Sequence, residues 1–221
     1  MARSDASILG DFTGRIGNII VYKLNGKTVM RIRPNTTKRK PTPRQKQSRD
    51  DFTLVMRYMG SLKRVINTGF YDVTEGRFAY HSALSTNLKA YKAAGRPEGA
   101  EWLKLSEGNR AGAEDLQLEV LENNKFRISW GKPTAGAYEN HDDRVFVVAL
   151  NNSGDRWYRY TEQQNNLRSQ GETLMELNFA TAPGDEIYFF LFFQDVDGSL
   201  RRKDPKNVSA SQFVGKAVIQ G

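Results

Sequence analysis

At 221 residues the chain is long enough for one large domain, or for a small domain beside a β-sandwich, and either can bury a core. It has no cysteine, which excludes a disulfide framework, a thiolate nucleophile and cysteine-held zinc, and no apolar run approaches the roughly 18 residues of a membrane span. The net charge of +8 is segregated: residues 1–70 hold 15 Lys+Arg against 4 Asp+Glu, a balance of +11, whereas residues 71–221 hold 18 against 21, a balance of −3. Such asymmetry is the footprint of a surface that meets a polyanion, or else of a solubilising arm. The N-terminus MARSDASILGDF has no apolar core of a leader. We expect a protein kept in the cytoplasm, or inside a particle assembled there, with no membrane partner.

The first elements lie in GDFTGRIGNIIVYKLNGKTVMRIRP, Gly10 to Pro34. Ile19–Leu24 and Lys27–Ile32 flank Asn25-Gly26, the pair best suited to a type I′ turn, and a two-residue loop fixes the register: Leu24 opposite Lys27, Tyr22 opposite Val29, Ile20 opposite Arg31. One face then carries Ile19, Val21, Met30 and Ile32 and should pack on the body. The other carries Tyr22 and Leu24 with Lys27, Arg31 and Arg33 and should face outward. Gly10, Gly14 and Gly17 precede a strand, whereas a phosphate-cradling loop lies between a strand and a helix; we read them as bending the approach to the hairpin.

After a polar linker, Thr42-Pro43-Arg44-Gln45 supplies an N-cap, a first-turn proline and a capping-box glutamine, predicting a helix to about Asn67. Phe52, Val55, Met56, Met59, Leu62 and Ile66 make its apolar stripe, with Lys46, Arg49, Arg57 and Arg64 opposite. A second helix is expected from Thr74 to about Tyr91, with Phe78, His81 or Ser82, Leu84 or Ser85 and Leu88 on one side, before the Gly/Pro segment AAGRPEGAE ends it. From Trp102 the texture is β: WLKLS, LQLEVLE, KFRISW, RVFVVAL, RWYRY, TLMELNF, EIYFFLFFQD and QFVGKAVIQ, parted by Asn, Gly and Pro turns. Ile187–Phe193, apolar at every position, predicts a central strand covered on both faces. The expected architecture is α+β: a basic hairpin and helical region over 1–100, then an antiparallel immunoglobulin-like β-sandwich over 101–221.

Chemistry-bearing clusters are few. His81 reads as a packing or surface histidine. His141-Asp142-Asp143 is the one cluster with the look of a metal site, and we read it as a polar inter-strand loop. Asp195-Val196-Asp197-Gly198 starts like a calcium loop but lacks its later acidic positions. No G-x-S-x-G elbow is present. We assign no catalytic residue, metal or cofactor, and expect a non-enzymatic protein. The cations are better placed: Lys38, Arg39, Lys40, Arg44, Lys46 and Arg49 form a dense run beside Lys27, Arg31 and Arg33, and with Arg57 and Arg64 they form the candidate nucleic-acid-binding set. Few aromatics interleave them, which favours duplex-backbone contact over base stacking.

Taken in order, ILGDFTGRIGNIIVYKLNGKTVMR, TPRQKQSRDDF, FAYHSALSTNLKAY, FRISW and APGDEIYFFLFF resemble an uncharacterised family of Bacteroidota proteins of about this length. Thr42, Pro43, Gln45, Arg49 and Phe52 fill its T-P-x-Q-x-x-x-R-x-x-F segment. The resemblance implies the immunoglobulin-like C-terminal half and brings no activity with it. T-P-x-Q segments also resemble ones in proteins encoded near phage genes. We hold two expectations: a binding module that contacts nucleic acid or another polyanion through its basic N-terminal hairpin and helix, or a structural protein of a phage-like particle or surface array that docks by its N-terminal arm and β-sandwich on copies of itself or on an assembly partner.

Overall fold

The computed structural model describes residues 2–4, 13–24, 26–34, 40–70, 78–121, 124–131, 143–153, 158–195 and 207–220. The chain divides into two units, Met1–Thr42 and Pro43–Gly221.

The first unit is a four-stranded antiparallel sheet, β1 (Ala2–Ser4), β2 (Gly14–Ile16), β3 (Ile19–Leu24) and β4 (Lys27–Ile32), in the order β1-β4-β3-β2. Strands β3 and β4 have the bounds and register that Asn25-Gly26 predicts, including Leu24 opposite Lys27 and Ile20 opposite Arg31. The glycines before the hairpin do more than bend it. Gly17, at φ +56°, leads a second two-residue turn that pairs Ile16 with Ile19, and glycine tolerates that conformation without strain. The predicted apolar face is not uniformly buried: Val21 is 1% exposed, but Ile19 is 44% and Ile32 77% exposed. On the other face Val29 is buried to the same degree as Val21.

The second unit begins with α1 (Pro43–Ser61), α2 (Lys63–Gly69) and α3 (Ala79–Ala93). The long helix expected to Asn67 is thus two helices meeting at Leu62. The hydrogen-bond ladder runs across the junction, from Leu62 N–H to Tyr58 and from Ile66 N–H to Leu62. The Ser61 hydroxyl donates back to the Arg57 carbonyl, a bond that bends helices, and accepts from the Tyr158 amide. The buried arc is Asp51, Val55, Tyr58, Met59, Leu62, Val65 and Ile66. Phe52, expected in it, is 45% exposed. Asp51 takes the inward place because Arg96 lies 3.0 Å from its carboxylate.

Among the described residues seven strands follow: β5 (Gln117–Val120), β6 (Lys125–Ser129), β7 (Arg144–Asn151), β8 (Arg159–Leu167), β9 (Glu172–Glu176), β10 (Glu186–Gln194) and β11 (Gln212–Val218). They form antiparallel sheets β11-β10-β7-β8 and β5-β6-β9, the four-against-three arrangement of an immunoglobulin-like sandwich. Alternation along β10 explains its unbroken apolar sequence. Ile187, Phe189, Leu191 and Phe193 join Phe126, Ile128, Trp130 and Met175 between the sheets. Tyr188, Phe190 and Phe192 point the other way, into a core with Tyr58, Met59, Leu62, Ile66 and Phe70 of the helical region. The helices therefore form a third layer on the larger sheet.

WLKLS, read as a strand, is not one. Trp102, Leu103 and Leu105 are buried, but the backbone at Lys104 pairs with the side chain of Asn87 on α3, which donates to its carbonyl at 2.8 Å and accepts from its amide at 2.7 Å. The segment opens on a turn, with the Leu103 amide donating to the Ala100 carbonyl at 3.0 Å, and the partner of its Lys104 backbone is an amide side chain.

Candidate nucleic-acid interface

Two-residue turns at both ends of β3 put three strands in register, and register sorts the side chains. On one face Arg15, Ile20 and Arg31 stand in a single cross-strand row. Tyr22 and Val29 form the next row, Leu24 and Lys27 the next. Arg33, two residues beyond Arg31, shares this face and ties its amide to Asn18 at 2.7 Å. On the opposite face Ile16, Ile19 and Ile32 form another row, all exposed. One side thus gathers Arg15, Lys27, Arg31 and Arg33, and the other, which also bears Lys23, gathers the three isoleucines. The Arg31 guanidinium lies 5.7 Å from the Tyr22 ring centroid, and Arg15 Nε donates to the Gly17 carbonyl at 2.8 Å. Between Asp11 and Asp50 the sequence has 11 Lys+Arg and no Asp or Glu.

Lys27, Arg31, Arg33 and Lys40 are exposed on the first unit; Lys38 and Arg39 lie outside the described residues. On the second unit Arg44, Lys46 and Arg49 are exposed on the opening turns of α1, which has no acidic residue in its first turn. At 100° per residue Lys46, Arg49 and Arg57 fall opposite the buried arc, while Arg44 falls in line with it. The positive end of the helix dipole adds to the potential there. Arg57 is half-buried. Arg64 departs from the expected free basic face: its Nε is 3.0 Å from Glu162 of β8. Burial and then the Glu162 charge raise the pKa of the neighbouring Tyr160 phenol, against the opposing pull of Arg64.

The sequence reading missed Arg15, because GRI between two glycines does not resemble a strand. The available signal was Gly17-Asn18, a two-residue hairpin turn in its own right.

The other clusters are described only in part: His141, Asp142 and residues 196–198 lie outside the described residues. Of His141-Asp142-Asp143 only Asp143 is described. Its side chain is fully buried, accepts from Arg110 Nε at 2.7 Å and lies 3.6 Å from Arg168. Arg110 also approaches Asp195, the first residue of the calcium-like stretch, at 3.4 Å. Burial works against the Arg110 charge, but the bond and charge of Asp143 prevail and its pKa is raised. Among the described residues no group of three His, Asp or Glu could hold a metal. No helix among them is long and apolar enough to cross a membrane.

The fold defines a class: an α+β protein in which an immunoglobulin-like sandwich carries a helical layer, preceded by a small basic sheet. The chain belongs to DUF6266, a family of unknown function whose profile matches residues 11–215. It is similar to the solution structure of the fn3 domain of human collagen alpha-1(XX) chain at 10% identity and a TM-score of 0.32, over 51% of this chain and 85% of that one. A structure titled "Myokine structure" is similar at 9% identity and a TM-score of 0.32, over 50% of this chain and 96% of the other. No curated protein matches.

Proposed function

We propose that the protein is a non-enzymatic module that contacts nucleic acid, or another polyanion, through its N-terminal sheet and the opening turns of α1. The observation that carries this reading is the row Arg15–Ile20–Arg31 with Arg33 and Lys27 on the same face. Neighbouring strands lie about 4.8 Å apart, so a row of three sets two guanidinium-bearing positions about 10 Å apart on a rigid ribbon. Cations fixed in this way meet backbone phosphates without a large ordering cost, and a ribbon of this width fits a major groove. In the same reading the sandwich is a scaffold, the protein works in the cytoplasm or in a particle assembled there, and its family is a Bacteroidota one marked by the T-P-x-Q-x-x-x-R-x-x-F segment.

The test is fluorescence anisotropy of a mixed-sequence duplex DNA across a salt series. A variant with Arg15, Lys27, Arg31 and Arg33 changed to Gln should flatten the slope of log K against log salt by about 3.6. No binding at low salt, or an unchanged slope in the variant, overturns the reading for duplex DNA.

The exposed row Ile16–Ile19–Ile32 favours a second reading, a structural protein of a phage-like particle or surface array that docks through this sheet. Association of that kind is insensitive to salt, and Ile32→Lys abolishes it. Sedimentation that stays monomeric at every salt concentration removes this alternative.

A further inference from the structure

A cleft of about 500 Å³ lies at the junction of the helices, lined by Gly60, Lys63, Asn67, Phe78, Tyr80 and His81. One wall is a single helical ridge, since Gly60, Lys63 and Asn67 recur at three- and four-residue spacing across the α1–α2 junction. The other wall is the start of α3. Phe78 occupies the N-cap position of α3 and is 63% exposed, and its ring sits 5.9 Å from that of His81. A phenylalanine there neither caps the helix, which Ser, Thr, Asn or Asp would do, nor contributes to the core. Among the described residues its ring contact is with His81. Across the gap Gly60 has no side chain to fill the space, at a cost of about 1 kcal/mol in helix propensity. Lys63 and Asn67 are exposed, and neither forms a hydrogen bond or ion pair with described residues. The Tyr80 hydroxyl is already turned to Met56 Sδ at 3.5 Å, which leaves its ring as lining.

The cleft thus opposes aromatic faces on one side to an ammonium and an amide on the other. That combination suits a flat heteroaromatic ring bearing an anionic group. The ring stacks on Phe78 with its edge toward His81, whose ring is tilted 59° from that of Phe78, the anion meets Lys63, and Asn67 reads a ring edge. We infer that this cleft binds a nucleobase–phosphate unit, either as a free mononucleotide or as the end of a single strand. The inference uses none of the cations of the N-terminal sheet and stands apart from the polyanion reading.

The test uses the full chain with AMP as probe, and adenosine and ribose 5-phosphate as its two halves, followed by titration calorimetry and ligand-observed NMR. AMP should bind saturably, and Phe78→Ala should weaken both AMP and adenosine by about tenfold. Lys63→Gln should weaken AMP by about fivefold and leave adenosine unchanged. Both side chains are exposed, so circular dichroism and the thermal midpoint of the variants should match the parent. A 5′-phosphorylated single-stranded oligonucleotide that displaces AMP identifies a strand end as the source; one that does not identifies the free nucleotide. The variant lacking Arg15, Lys27, Arg31 and Arg33 should bind AMP normally, which separates this site from the sheet. Absence of saturable AMP binding at about 10 mM, or equal affinity in both cleft variants and the parent, overturns the inference.

Discussion

Asn87 and Lys104 are joined twice, the side-chain amide of the one pairing with both backbone groups of the other as a neighbouring strand would. Asn87 is fully buried, so water cannot replace it. Asn87→Leu removes the partner of the part-buried N–H and C=O of Lys104 and should cost about 1–3 kcal/mol. Urea denaturation measures this. A loss under about 1 kcal/mol would show that the segment repairs its own pairing.

The Asp143 carboxylate answers two guanidiniums where the sandwich closes. Arg168 is 2% exposed, stacks 4.1 Å from the Phe193 ring, and donates to the carbonyls of Ala111 and Gly112. Asp143→Asn removes the charge that both cations face and should cost about 3–5 kcal/mol. The double variant Asp143→Leu with Arg110→Met should recover part of that loss. Equal stability of the single and double variants would argue against a buried, coupled pair.

Gly69, at the end of α2, touches the backbone of the following extended segment. A Cβ there would lie 2.3 Å from the Leu105 carbonyl oxygen and 2.6 Å from Ser106 Cβ. Gly69→Ala, which usually stabilises a helix, should therefore destabilise this one by about 1–3 kcal/mol. The thermal midpoint decides the sign, and an increase would mean that residues 105–106 yield easily.

Stability should fall in acid. The Asp185 carboxyl is held below its ordinary pKa first by the Ala182 amide, at 3.0 Å, and also by Asn151. That of Glu186 is held down first by the bond from Lys216, then by Tyr188. With folded values below the unfolded ones, these groups contribute fully above about pH 5 and lose that contribution as pH falls through the lower folded values. Urea midpoints measured downward from about pH 6 should drop in that window, and Asp185→Asn should make the drop shallower. A flat profile through that window would remove both carboxylates from the account.

The sequence made local pairing legible and concealed pairing at a distance. Asn25-Gly26 specified the β3–β4 register because a two-residue turn leaves the chain no alternative. The apolar stretch Ile187–Phe193 announced a strand covered on both faces, since no other placement hides its alternate side chains. A helical wheel, however, put Phe52 inward and overlooked Asp51, because it contains no Arg96. It likewise left Arg64 on a free basic face, because Glu162 lies almost a hundred residues further along. At the candidate interface the charges were evident from composition, but the membership of Arg15 depended on a three-residue strand defined only by its neighbours.

Because β7 and β10 serve two cores, the helices are not an accessory that can be trimmed away. A fragment starting at residue 101 would present Phe146, Val148, Leu150, Phe190 and Phe192 to water as one continuous wall. Such a wall is adhesive, and we expect the fragment to accumulate as inclusion bodies even though every strand of the sandwich is present. In synthesis the order is fortunate: the helical segment leaves the ribosome first and is ready to cover the sheet as its strands assemble.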